Sequence, residues 1–176
     1  MKQSGYYRFP TISGNNIVFI CEDDLWSVPA KGGIAVRLTA NLGEVTRPHL
    51  SPDGKLLAFT GREEGNPEVY CMSAEGGIET CLTFMGGNTS VIGWTPDSKY
   101  ILFISNAGQP FQRIFKVYKI SPDGGIPELL PVGLAHNISY GPKGGTVIGV
   151  HTTDPSRWKR YKGGTAGVIW IDTAGK

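Results

Sequence analysis

The sequence predicts an all-β chain made of β-propeller blades, each a sheet of four antiparallel strands, with about four blades present and the last incomplete. Three observations carry this reading. An aliphatic-aromatic pair recurs four times in short apolar stretches, at Leu25-Trp26, Val69-Tyr70, Val117-Tyr118 and Ile169-Trp170. Its aromatics lie 44, 48 and 52 residues apart (26 to 70, 70 to 118, 118 to 170), room for four short strands per repeat. Three copies are followed by a Gly-Gly turn, at Gly32-Gly33, Gly76-Gly77 and Gly124-Gly125, and the 25 glycines gather at turns rather than in a low-complexity tract.

The elements follow in chain order, with expected blades at about 5–43, 44–86, 87–133 and 134–176 of a single propeller unit, 1–176. The first has a short turn, Ser13 to Asn16, then strands Ile17 to Cys21, Asp24 to Pro29 and Ala35 to Leu38. In the second, Arg47 to Leu50 approaches the turn Ser51-Pro52-Asp53-Gly54-Lys55, where proline sets φ and Asp-Gly supplies a side-chain acceptor and a permissive backbone. Strands at Leu56 to Thr60, Glu68 to Ser73 and Glu79 to Thr83 follow as antiparallel hairpins. The third repeats the plan: Val91 to Trp94, the turn Thr95 to Lys99, then Tyr100 to Ser105, Phe115 to Ile120 and Glu128 to Leu130. Leu38-Thr39 and Leu82-Thr83 end equivalent strands 44 residues apart. The fourth gives Asn137 to Tyr140, the turn Gly141 to Gly145, Thr146 to His151 and Gly167 to Asp172, and its outer strand is missing. An open sheet edge invites pairing with other chains, so the sequence is expected to be the N-terminal part of a longer protein and, alone, to self-associate.

Bulk properties exclude several function classes. The net charge of +2 offers no electrostatic case for nucleic acid or an anionic membrane. Apolar runs such as Ile17 to Cys21 are strand-length, and the N-terminus lacks the apolar core of a signal peptide, so the chain reads as cytoplasmic. Cys21, Cys71 and Cys81 have no C-x-x-C spacing and are expected as reduced, buried thiols.

Catalytic chemistry is not apparent. There is no G-x-S-x-G and no metal-ligand spacing such as H-E-x-x-H; no catalytic residue, metal or cofactor is assigned. His49 and His136 fall in first strands of blades and His151 ends a second strand, all read as packing or turn residues. Glu22-Asp23-Asp24 is expected to tie down turn amides, and Glu63-Glu64 to be a solvated loop. One basic-aromatic cluster stands out: Arg157, Trp158, Lys159 and Arg160, continued by Tyr161 and Lys162. Its functional reading is capture of a carboxylate or an acidic partner; its structural reading is aromatic packing with solvated charges.

Several stretches resemble the tricorn protease family. They are Gly5 to Ile12, Ile17-Val18-Phe19, Asp23 to Pro29, Asn41 to Glu44, Ser51 to Lys55, Gln109-Pro110-Phe111 and the most specific block, Trp158 to Thr165. The blades are of WD40-like or TolB-like type, and the S-P-D-G-K turn followed by an apolar strand is shared by many propellers, including the TolB and prolyl oligopeptidase groups, and is weak alone. The resemblance runs from Gly5 to about Asp172 and implies an N-terminal six-bladed propeller followed by a second propeller, a PDZ-like domain and mixed α/β domains. The catalytic serine of such a protein comes from its C-terminal part. This chain would then be about four of six blades of a peptide-directed serine protease. It would carry none of its catalytic residues, work in gating or guiding peptides and in assembly, and have its own downstream domains and a homo-oligomer as partners. One departure matters: the archaeal type is thought to anchor peptide C-termini with an arginine pair between blades two and three, where this chain reads Met85 to Ser90 without arginine. The alternative is a TolB-like interaction module with no linked hydrolase.

Overall fold

The computed structural model describes residues 5–40, 43–141, 143–151 and 166–173. They form fifteen strands in four antiparallel sheets arranged as propeller blades. The first sheet is β1 (Arg8–Ser13), β2 (Asn16–Cys21), β3 (Asp24–Pro29) and β4 (Val36–Arg37). The second is β5 (Val45–Leu50), β6 (Leu56–Gly61), β7 (Glu68–Ser73) and β8 (Thr80–Cys81). The third is β9 (Thr89–Trp94), β10 (Ile101–Ser105), β11 (Lys116–Ile120) and β12 (Glu128–Leu134). The fourth holds β13 (Asn137–Tyr140), β14 (Thr146–Val150) and β15 (Val168–Asp172), with no fourth strand among the described residues.

Turn chemistry explains the register. The Ser51 hydroxyl donates to Asp53 Oδ1 at 2.6 Å, and the Lys55 amide donates to the same oxygen at 3.2 Å. Thr95, Asp97 and Lys99 repeat this at 2.6 and 3.2 Å. These bonds, the hydroxyl donor first, hold both Asp53 and Asp97 below the ordinary carboxylate range. Gly54 sits at φ 74°, and Ser98 occupies the equivalent place at φ 61°, with its hydroxyl accepting from the Asp53 amide of the neighbouring blade at 3.1 Å. A glycine at 61 has a different reason: a Cβ there would lie 2.9 Å from the Tyr70 ring.

The first strand of each sheet is innermost, and β1, β5, β9 and β13 stand side by side around the central channel. Three apolar cores fill the spaces between successive sheets. Val18, Ile20 and Leu25 meet Leu57, Phe59 and Tyr70; Ala58 and Val69 meet Val91, Phe103 and Ile120; Leu102, Ile104 and Val117 meet Ala135 and Ile138. The recurrent aromatics pair across strands with Phe19, Phe59, Phe103 and Ile148. Phe59 stacks on Tyr70 at 5.6 Å and Phe103 on Tyr118 at 5.4 Å, each pair pressed against the preceding blade. Phe19 has no preceding blade among the described residues, and Tyr7 meets it in an edge-to-face contact at 5.2 Å.

The outer strands differ between blades for a local reason. In the first two, a buried acid and a threonine clamp the third strand to the fourth. Thr39 Oγ1 accepts from the Leu25 amide at 2.9 Å and donates to Asp24 Oδ1 at 3.0 Å; Asp24 also pairs with Arg37. Thr83 Oγ1 accepts from the Val69 amide at 2.9 Å and donates to Glu68 Oε2 at 2.6 Å, while Glu68 Oε1 accepts from the Gly86 amide at 3.0 Å. The third blade has Lys116 where the acids stand, and there β12 runs on to Leu134. Of Glu22-Asp23-Asp24, Asp24 clamps an outer strand and Asp23 pairs with Arg8 at 2.6 Å. Glu68→Ala leaves the Thr83 hydroxyl and the Gly86 amide without their acceptor, and is expected to cost about 2 kcal/mol in urea unfolding, with Glu68→Gln recovering only part of it, because its amide restores one acceptor oxygen of the two.

Of the thiols, Cys71 is buried and pushed up to about 11 by that burial, while Cys21 and Cys81 are half-buried; all three are free. No helix of the described residues is long and apolar enough to cross a membrane.

On β15, Ile169, Trp170 and Ile171 are each 64–67% exposed, and the strand carries no charge before Asp172. Ile169 and Ile171 share one face with the exposed Val147, and Trp170 lies on the other with Ile148. Uncharged apolar edges template strand pairing. The chain is therefore expected to self-associate in light scattering at micromolar concentration, and Ile169→Lys with Ile171→Lys to shift it towards monomer.

Candidate functional site

The inner strands do not run straight to the channel mouth. β1 carries an irregularity between Arg8 and Thr11, and β5 one between Thr46 and His49. Each includes an X-Pro step whose first residue has positive φ: Phe9 at 48°, before Pro10, and Arg47 at 52°, before Pro48. Non-glycine residues held there cost about 1–3 kcal/mol each. β9 has its own shift between Val91 and Gly93, whereas β13 pairs regularly. β-Bulges re-aim side chains, and here they bring the Arg47 guanidinium carbon over the Phe9 ring, 5.0 Å from its centroid.

These residues border a cleft of about 580 Å³ at the end of the channel where the blades are entered. The first sheet contributes Phe9; the second, Thr46, Arg47, Thr60, Arg62 and Pro67, with Glu44 leading into it. Asn88, Thr89, Ser90, Ile92, Ile104 and Phe115 come from the third, and His136 and Asn137 from the start of the fourth. The lining mixes amide and hydroxyl groups with Phe9, Ile92, Ile104 and Phe115, a surface suited to an extended chain with both backbone polar groups and apolar side chains.

Its charges are arranged unevenly. Glu44 is shared between Arg62 at 3.7 Å and Arg8 at 3.9 Å, and Arg8 also holds Asp23. Arg47 has no ion pair among the described residues. Beside it His49 is lowered to about 4, by burial first and by the Arg47 charge second. His136 is also lowered, by burial and then by His151; its Nδ1 accepts from the His151 amide at 3.0 Å. Burial thus disfavours the charged form of both imidazoles, and among the arginines and acids of the lining the charge without an ion pair is that of Arg47.

Sequence reading placed the histidines in packing roles, and the structure puts His49 in β5, His136 one residue before β13 and His151 just after β14. It missed Phe9 and Arg47, because a bulge leaves no mark on apolar periodicity; the shared X-Pro step was the available signal. The basic-aromatic residues Arg157, Trp158, Lys159 and Arg160, and the block through Thr165, lie outside the described residues. Among the described residues no group of three His, Cys, Asp or Glu side chains could hold a metal ion, and no histidine is hydrogen-bonded to a serine or threonine hydroxyl.

Fold and cleft together define a propeller module with a cleft of about 580 Å³ at its channel mouth. A sequence profile for the tricorn protease N-terminal beta propeller domain matches residues 4–176, and the chain belongs to that family. It is 39% identical over 168 residues to tricorn protease homolog 1 of Streptomyces coelicolor, covering 95% of this chain and 16% of that protein. It is 34% identical to a putative tricorn-like protease N-terminal subunit of Sulfurisphaera tokodaii, covering 95% of this chain and 86% of that one. The crystal structure of the tricorn protease superposes with a TM-score of 0.83 at 31% identity, over 97% of this chain and 17% of that one. The chain thus spans about a sixth of the length of the full-length relatives it matches. TolB from Acinetobacter baumannii, at 18% identity and a TM-score of 0.69, shares the fold.

Proposed function

We propose that this chain is the non-catalytic propeller segment of a cytoplasmic, tricorn-like serine protease acting on peptides. The cleft at the channel mouth admits and guides extended peptides, and the apolar ends of the arc carry contacts with further domains and other copies. One observation carries the reading: the cleft is lined by residues from all four blades, so it is a property of the assembled propeller. Membership of the tricorn N-terminal propeller family supports a division of labour in which chemistry lies elsewhere. Arg157, Trp158, Lys159 and Arg160, which lie outside the described residues, would add contacts to acidic partners.

The test is a purified 1–176 chain mixed with fluorescent peptides of about ten residues. Binding without hydrolysis is expected, weakened by filling the cleft with Ser90→Trp. Cleavage by this chain, or no binding of any peptide, would overturn the reading.

A further inference from the structure

We propose that Arg47, held over the Phe9 ring at the channel mouth, is a receptor for the carboxylate of an acidic side chain on an extended peptide and selects which peptides enter. The inference rests on the reading of the cleft as a peptide entrance and adds its chemical preference.

Three independent features point to Arg47. Its backbone is strained: two neighbouring inner strands each place a non-glycine residue at positive φ before a proline, and the outcome is this one contact. Strain maintained in two places to bring a cation and a ring together is a mark of a functional site rather than of packing. Charge partition is the second feature. Arg62, the other arginine of the cleft, shares Glu44 with Arg8, whereas Arg47 has no carboxylate partner among the described residues. The third is geometry of the group itself. Contact through the guanidinium carbon with an aromatic ring restrains the side chain and leaves the N–H groups on its rim free to form paired, charge-assisted bonds to a carboxylate. Thr46 and Asn88 on the same wall provide polar groups for the peptide backbone, and Phe115 an apolar surface for its neighbours.

The test uses N-acetylated, C-amidated peptides of one length whose central residues are Glu, Gln or Lys, so no terminal carboxylate competes. Fluorescence anisotropy at low salt is expected to show the Glu peptide bound about tenfold more tightly than the Gln peptide, with the Lys peptide weakest. Arg47→Gln should abolish the Glu preference while keeping the affinity for the Gln peptide. Arg47→Lys should retain part of it, because the charge survives without the planar fork. Phe9→Leu should reduce the preference by about threefold. Lys99→Gln, on the turn at the opposite end of β9, should leave it intact. Equal affinity for Glu and Gln peptides in the wild-type chain, an undiminished preference in Arg47→Gln, or binding restricted to peptides with a free C-terminus would overturn the proposal while leaving the peptide entrance standing. Binding of no peptide at all would overturn both.

Discussion

Phe59→Ala is expected to lower the unfolding free energy by about 4 kcal/mol, from the lost transfer energy, the cavity left behind and the broken ring pair. Phe59 is 0% exposed, at the centre of the core between the first and second blades, and stacked on Tyr70. The cavity cannot collapse easily, because β6 is held on both sides by β5 and β7 and its register is complete from Leu56 to Gly61 on the β7 side. Phe19→Ala removes the same side chain from the equivalent position of the first blade, yet should cost roughly half as much, since Phe19 is half-buried and meets the exposed Tyr7 ring on its outer side. Urea titrations of the two variants, followed by tryptophan fluorescence, measure this contrast. Equal losses would mean that the first blade is covered in solution by something else, and would change the view of that face.

Acid is expected to destabilise the fold between pH 6.5 and about 4, the interval set by His49. Above pH 6.5 the imidazole is neutral whether folded or unfolded, and contributes no pH dependence. As pH falls below 6.5 the unfolded chain takes up a proton that the folded chain refuses, because the ring is buried beside the Arg47 cation. The penalty grows until the folded pKa is reached, and totals roughly 3 kcal/mol. His136, lowered for the same reason of burial, adds in the same direction. Chemical denaturation midpoints measured between about pH 7.5 and 4.5 should fall accordingly, and His49→Gln should flatten most of that slope. The Trp94 indole bond to His49 runs to the main-chain carbonyl, at 2.8 Å, so the substitution leaves it in place. A wild-type slope unchanged in His49→Gln would place the sensitive group elsewhere.

Much of the fold was legible because its determinants are local. Turn motifs such as Ser51 to Lys55 hydrogen-bond within a few residues, and so announce themselves in the chain. The strands between them follow, to within a residue or so at most ends, from apolar runs bounded by these turns. Outer strands were less clear, because β4 and β8 are two residues long and depend on clamps between residues 15 apart, Asp24 with Thr39 and Glu68 with Thr83. The candidate site was hidden almost entirely. Phe9 and Arg47 are 38 residues apart (9 to 47), and neither belongs to a recognisable catalytic or binding motif.

Read as a string, the chain settles what a blade is, which turns join its strands and which aromatic stands on its third strand, since each depends on neighbours a few residues away. Four nearly equivalent copies cannot reveal their own surroundings. Tyr70 is sealed, Trp26 and Tyr118 are half-buried and Trp170 is 64% exposed, although the repeat writes all four positions alike. Burial depends on whether another sheet packs against that face, and the position of each blade in the arc decides it. The meeting of Arg47 with Phe9 has the same origin. Two bulges on different strands converge only once the inner strands stand side by side, so the cleft and its charge arise from packing between blades.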